Sequence, residues 1–422
     1  MKDWLKQQVI SASKSPPAQK VRNWLGLAPG MDTNHEIDSI GITGEVVVYF
    51  SDVQSKSYQL EQWLPVLEKL HKTHPVVLVF RSVPTMRHFR ELTSLPKMYV
   101  RFLDDLVKLY DNSDFKVCLY VNNGVQNFQS LSSPRIVHVH INHGESDKLS
   151  MVSNQAKAYD KVFVAGPAAV ERHRQVLVDF DLDKLISVGR PQLDCDFPSP
   201  LAPLESRTVM YAPTWEGENE ANNYTSMDHY GVSIVDALSK LQDTRIIYKP
   251  HPRILTSTKP KIVEAHEAIL ELLKETSVTG SKHVVAHKEN ILALFEDVDA
   301  LITDVSSVGL DFLYLHPDKP LILTDRRNNL ENLNREVPVS RCSPIIDRET
   351  AKNIVPNLRE WLDDASGTEA RMKMRSFYFG DRSVGESTES FISALTSLIT
   401  ERQEKLVAYG AASIATKATP TT

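Results

Sequence analysis

Cysteine is scarce in this chain: three residues in 422, Cys118, Cys195 and Cys342, far apart and odd in number. No disulfide framework or zinc spacing follows from them, so a reducing compartment, the cytoplasm, is expected. Long apolar runs are missing as well. None approaches the roughly 18–20 residues of a membrane span, and the first residues lack a signal-peptide core. No basic block stands out and the net charge is −6, which argues against nucleic acid as a partner. A phosphorylated ligand must therefore be held by local geometry rather than by a broad positive field. No cluster of carboxylates points to a metal, no cofactor is called for, and the first half carries no internal repeat.

What is present is the composition of a soluble globular protein, 41% hydrophobic and 24% charged, at a length that suggests two domains. Residues 1–30 interleave Trp4, Leu5, Val9 and Ile10 with lysines and read as a leader able to touch anionic lipid at the inner face of the plasma membrane. From Glu45 a regular pattern begins. EVVVYF (45–50), PVVLVF (75–80), KVCLYV (116–121), RIVHVHIN (135–142), KVFVAG (161–166) and LISVG (185–189) are short, nearly continuous apolar strands with helix-like connections between them. That alternation means a parallel α/β sheet. The proline-rich stretch after Gly189 reads as a boundary, which places one domain at 31–195. The alternation restarts at 208–213, 245–249, 282–287, 300–303 and 320–325, giving a second domain at 196–405. The tail, 406–422, reads as disordered.

In such sheets ligands bind beyond the carboxyl ends of the strands, so the polar residues there are the candidates. In RIVHVHINHG the period of two puts Ile136, His138, His140 and Asn142 on one face, and Val137, Val139, Ile141 and His143 on the other. His138 and His140 read as structural. His143 closes an apolar face at the strand's end and could take a proton at neutral pH without much tuning. Gly144 beside it allows close approach. Pro213 ends the next candidate strand and throws Thr214 and Trp215 toward the crevice. Lys249-Pro250-His251-Pro252 fixes one imidazole between two prolines.

The stretch LITDVSSVGLDFLYL (301–315) is a buried strand ended by Asp304 and running into a helix that Ser306 or Ser307 is suited to cap. A helix start of this kind presents backbone N–H groups and the positive end of its dipole to an anion. Asp311, one turn on, could reach the hydroxyls of a ribose or glycerol unit.

YAPTW, YKPHP and DVSSVGLDFLYL with a following KPLIL resemble, in order and spacing, the CDP-glycerol glycerophosphotransferase family of teichoic acid and capsule synthesis. His143-Gly144 with Lys148 is similar to that family's His-Gly motif. Gly189-Arg190-Pro191 with Asp194 resembles its Gly-x-Pro-Arg-x-Asp motif, though Arg190 precedes the proline. The resemblance covers roughly residues 135–330. It implies a GT-B-like α/β fold, two Rossmann-like domains facing a central cleft, and transfer of a polyol-phosphate from CDP-glycerol or a related CDP-polyol to an acceptor hydroxyl. The acceptor it implies is an envelope polymer or a lipid-linked unit, and CMP is released. Carried over residue by residue, the resemblance makes His143 the base and His251 a second essential histidine. It makes Thr214, Lys249, Asp304, Ser306, Ser307 and Asp311 donor-binding residues, with Gly144, Arg190 and Trp215 beside them. Glu145, where the family often has threonine, would put a carboxylate beside the base and repel a phosphate-bearing acceptor. Two other readings stand: a GT-B glycosyltransferase using a nucleotide sugar, and a catalytically inert scaffold for envelope-polymer enzymes.

Overall fold

The computed structural model describes residues 44–148, 151–277, 283–364 and 366–417. The leader at 1–30 lies outside them. Seven parallel strands form the first sheet: β1 (Val46–Phe50), β2 (Val76–Phe80), β3 (Lys97–Tyr99), β4 (Val117–Tyr120), β5 (Val137–His140), β6 (Lys161–Val164) and β7 (Leu185–Ser187). Their order across the sheet is 3-2-1-4-5-6-7. Six parallel strands form the second: β8 (Arg207–Ala212), β9 (Thr244–Tyr248), β10 (Val284–Val285), β11 (Ala300–Thr303), β12 (Leu321–Thr324) and β13 (Ile345–Ile346), in the order 10-9-8-11-12-13. Both sheets are covered by helices on two faces, which is why their strands are apolar throughout rather than alternating with polar residues. In β1, Val46, Val48 and Phe50 enter one core layer while Val47 and Tyr49 enter the other.

The strand order reverses between β1 and β4 in the first sheet and between β8 and β11 in the second. Neighbouring connections leave on opposite faces there, so a crevice opens at the strands' carboxyl ends. The first reversal carries Asp52 and Asn122, with His143 one strand further on. The second carries Thr214 and the Asp304–Ser307 turn.

The chain crosses back at its end. The helix Glu386–Lys417, which the sequence put with the second half, lays Phe391, Leu395, Leu398 and Ile399 into the core of the first sheet. Phe391 lies against Trp63 (ring centroids 5.2 Å) and Phe163 (5.7 Å). Its start is capped from the linker: the Gly385 and Thr388 N–H groups donate to Asp194 at 2.7 and 2.5 Å. Gly189 has φ +80°, and a Cβ there would meet the Ser387 hydroxyl at 2.2 Å, so only glycine fits. The helix also continues to Lys417, into the tail expected to be disordered from 406. The stretch is rich in alanine and contains no proline before residue 420, a composition that favours helix. Two edge strands, β3 and β13, escaped the sequence reading because three and two residues carry no usable period.

Candidate active site

A cleft of about 540 Å³ lies between the carboxyl ends of the two sheets, and His143, Gly144, Thr214, Trp215, Lys249, His251, Ser306, Ser307 and Asp311 all line it. Residues more than 100 positions apart in sequence thus share one space.

His143 is presented by a left-handed turn. Asn142 takes φ +52°, a conformation asparagine tolerates better than most residues, and its side-chain oxygen accepts the His143 N–H at 2.8 Å. Trp63 Nε1 donates to the Asn142 carbonyl at 2.6 Å and holds the turn in place. The His143 ring then donates from Nδ1 to the Val121 carbonyl at 3.1 Å. Because that carbonyl can only accept, the neutral ring leaves its lone pair on Nε2. His251 is set the other way. Its Nδ1 accepts the Arg253 N–H at 3.1 Å, so its proton sits on Nε2 and that nitrogen is a donor. Tyr58 stands between the two rings, edge-on to each, with centroids at 6.1 Å from His143 and 6.0 Å from His251.

Burial pushes both imidazoles far below the ordinary histidine range. His143 falls to about 4, with the charges of Arg190 and Lys56 adding to the effect. His251 falls to about 3, with Lys148, Arg253 and Lys249 adding to it. This corrects the expectation that His143 titrates near neutrality untuned: before substrate arrives, both rings are neutral at pH 7. An anionic ligand beside them would raise both values, since a nearby negative charge favours the protonated form.

Positive charge comes from the loop after β5 and from the loop after β9. Lys148 donates to the Thr214 hydroxyl at 2.9 Å. Burial lowers it to about 8, against the pull of Asp304, so it stays mostly charged at neutral pH. Lys249 is nine-tenths buried and likewise lowered by burial. Arg253 stacks over Trp215 at 4.0 Å, and Trp215 in turn lies 6.2 Å from the His251 ring.

Asp304 does not line the cleft. Fully buried, it accepts from the Thr214 N–H at 2.7 Å, the Ser226 N–H at 3.2 Å and the Thr324 hydroxyl at 2.6 Å. With its oxygens engaged in this way, it positions Thr214 rather than touching a donor. Its burial follows from its place at the end of a strand covered on both faces, which the sequence pattern did not reveal.

Ser306 occupies the N-cap position of the helix Ser307–Leu315 in extended conformation, yet its side chain makes no capping hydrogen bond. The expected hydroxyl cap is absent, and the helix start is left open toward the cleft, where Ser306 and Ser307 stand half-buried. Gly144 comes against this end: a Cβ on it would lie 3.0 Å from the Ser307 Cβ. The loop carrying the base and the helix start are thereby brought together.

Asp311 touches the cleft, but its carboxylate is taken. Arg190 grips it from Nε at 3.1 Å and from Nη2 at 2.9 and 3.0 Å, both partners being deeply buried. The pair ties the linker to the helix, so the carboxylate expected to take a hydroxyl of the donor is engaged by Arg190. A carboxylate on that face is free only if no arginine reaches it, and Arg190 lies 121 positions away. Glu145 also differs from expectation. Arg172 pairs with it at 2.5 Å and with Asp147 at 2.9 Å, so its charge is matched.

Sequence reasoning missed Tyr58, Asp52, Gln59 and Asn122, all lining the first sheet's side of the cleft. Their only signal was placement just after β1 and β4. His138 is bonded to the Tyr120 hydroxyl and the Ser133 carbonyl, both at 2.8 Å, and does no more than support the sheet. Among the described residues, no group of three or more His, Cys, Asp or Glu is placed to hold a metal ion, and no helix is long and apolar enough to cross a membrane.

Two parallel-sheet domains facing a cleft with polar strand ends define an α/β protein of the GT-B-like class. Residues 135–327, somewhat less than half of the chain, match the family described as CDP-glycerol:poly(glycerophosphate) glycerophosphotransferase. No curated protein matches the chain in sequence. Among solved structures, a Listeria monocytogenes protein described as a UDP-N-acetylglucosamine 2-epimerase is similar at TM-score 0.59 and 14% identity, covering 85% of this chain and 98% of that one. A variant of the wall teichoic acid polymerase TagF soaked with CDPG is similar at TM-score 0.55 and 14% identity, covering 92% and 94%. An Anabaena protein in complex with UDP and glucose is similar at TM-score 0.52 and 10% identity, covering 84% and 100%. At these identities the structural likenesses speak for the fold. The family match supports a CDP-glycerol glycerophosphotransferase-like enzyme.

Proposed function

We propose that the chain moves glycerol phosphate, or another polyol-phosphate, from a CDP-linked donor to an acceptor hydroxyl in the synthesis of a teichoic acid-like or capsule polymer. The observation that carries this reading is the pair of neutral histidines with opposite tautomers on either side of Tyr58. His143 Nε2 takes the proton of the attacking hydroxyl as its oxygen bonds to the polyol-bearing phosphorus. The bond from that phosphorus to the CMP oxygen breaks, and CMP leaves with the bonding pair. His251 Nε2–H donates to the diphosphate, and Lys148, Lys249 and the open N–H groups at Ser306–Ser307 offset its charge. Phosphoryl transfer asks for little beyond such positioning and charge stabilisation. Asp304 and Asp311 hold Thr214 and the Ser307 helix in place for it.

The acceptor is an envelope polymer or a lipid-linked unit, reached from the cytoplasmic side with the enzyme peripheral to the membrane. The leader's apolar residues interleaved with lysines support that contact. The test is a donor screen on the purified chain: CMP release from CDP-glycerol and CDP-ribitol against UDP release from UDP-sugars. Acceptor-dependent UDP release without CMP release would replace this reading with a nucleotide-sugar transferase.

A further inference from the structure

Lys148 has little of its own to hold it in the cleft. It lies in the stretch 141–148, which runs on from β5 without helix or strand. Its Nζ donates to the Thr214 hydroxyl at 2.9 Å and stands 5.9 Å from the centre of the Tyr224 ring. Among the described residues no ion pair holds it. A long, flexible cation of this kind meets an anion at lower entropic cost when its backbone is already fixed.

The residue before it is fixed. Asp147 turns into the protein, where Arg172, from the helix Pro167–Val176, donates to its Oδ1 at 2.9 Å and to Glu145 at 2.5 Å. Its other oxygen, Oδ2, accepts from the Tyr378 hydroxyl. That hydroxyl in turn accepts the Val339 N–H at 3.1 Å. An N–H can only donate and a carboxylate can only accept, so the hydroxyl hydrogen points at Asp147. Burial pushes Asp147 up to about 6, against the pull of Arg172 and Tyr378, and at neutral pH it is mostly ionised. A buried carboxylate in that state is costly to strip of a donor.

Tyr378 is placed from the far side of the molecule. It sits near the end of the helix Thr368–Phe379, beyond the matched stretch of 135–327. Its ring is buried in a core layer with Ala165, Ala168 and Val339. The start of the helix Pro167–Val176 closes on it: a Cβ at Gly166 would lie 2.5 Å from the Tyr378 carbonyl oxygen. The line from the Val339 N–H through Tyr378 to Asp147 therefore joins packed structure behind the second sheet to the loop in the cleft.

We propose, resting on the transferase reading above, that Tyr378 is a positioning residue of the reaction: through Asp147 it fixes the backbone at 147–148 and so sets where Lys148 meets the donor's diphosphate. Tyr378→Phe tests this, because it keeps the ring and removes only the hydroxyl. With whichever CDP-alcohol gives CMP release, kcat/KM for the donor should fall about tenfold, the size of one hydrogen bond to a charged group. The acceptor KM should stay within about twofold. Binding of inorganic pyrophosphate, read by calorimetry, should weaken by a similar factor. In a Lys148→Ala background the same change should cost less than about twofold in both measurements, since residues that act together are not additive. Asp147→Asn keeps an accepting oxygen and loses the charge, and should show the same pattern at about threefold.

Losses that add fully in the Lys148→Ala background, an unchanged donor kcat/KM in Tyr378→Phe, an equal rise in the acceptor KM, or unfolding of both single variants at the assay temperature would each overturn the proposal. If the wild type releases CMP from no CDP-alcohol and the pyrophosphate cycle is still non-additive, the transferase reading falls and the placement of Lys148 by Tyr378 stands. CMP release with fully additive losses gives the reverse. A wild type that neither releases CMP nor binds pyrophosphate overturns both.

Discussion

The two walls of the cleft reach their tasks by different means. The wall nearest β8 and β11 gathers Lys148, Lys249, Arg253 and an open helix start around buried, neutral His251. It works through charge placed where water is largely excluded, which makes each interaction stronger. The wall formed by β1 and β4 works through carboxamides, a tyrosine and one matched ion pair. It can recognise shape and hydroxyl position but has little to offer an anion. The matched family stretch covers most of the charged wall and none of the β1 and β4 side. The charged wall and the carboxamide wall can thus vary separately on one scaffold.

The largest expected effect falls where the walls meet. His143→Ala and His251→Ala should each lower turnover by about 10²–10⁴-fold, the range of a positioned acid or base, with the melting temperature nearly kept. A folded variant retaining near-normal turnover would take that histidine out of the chemistry and dissolve the contrast between the walls.

Next comes the tie beneath them. Arg190→Ala leaves Asp311 buried and unpaired, which should cost about 3–5 kcal/mol of stability, measured by denaturant unfolding. Asp311→Asn should cost less, because its carboxamide oxygen still accepts from the buried Arg190 guanidinium, whereas alanine at 190 leaves the carboxylate without that donor. Equal losses in the two variants would mean that packing, not charge, fixes the linker against the helix.

The depressed histidines predict a pH dependence with a definite sign. Their folded values, about 4 and about 3, lie below the ordinary 6.5, so below pH 6.5 the unfolded chain binds more protons than the native one. The stability associated with them is complete above about pH 6.5 and is lost as pH falls toward 4. Melting curves of the wild type should therefore drop across that window. Those of the His143→Gln, His251→Gln double variant should drop less steeply. In the wild type the acid limb of kcat/KM, which reports the free enzyme, should sit near pH 4 rather than 6.5. An acid limb at 6.5 would place the titrating base elsewhere.

Replacing Ser306 and Ser307 with alanine together removes two hydroxyls, and no side-chain cap is lost with Ser306. Donor binding should weaken by about 1–3 kcal/mol, the usual size for hydrogen bonds to a charged group, while inorganic pyrophosphate still binds through the backbone. Calorimetry with both ligands separates that outcome from collapse of the helix, which would abolish both. The smallest effect should come from the leader. Deleting residues 1–30 should remove weak, salt-sensitive binding to anionic vesicles and leave activity on a soluble acceptor unchanged. Vesicle flotation unaffected by the deletion would move the membrane contact to another surface.

The sequence by itself determined the parallel sheets, because strands buried on both faces must be apolar throughout and that pattern is local. It determined that His143, Thr214, His251 and Ser306–Ser307 stand at strand ends, since a proline or the switch from strand to helix marks each end. The tertiary structure alone decided which carboxylates are free. Asp311 and Glu145 look available in sequence, yet Arg190 and Arg172 reach them from distant elements. It also decided the two histidine tautomers, through a carbonyl on another strand for His143 and a backbone N–H two residues on for His251. The C-terminal helix belongs with the first core for the same reason: its apolar face shows that it packs, and only the three-dimensional path of the chain shows against what.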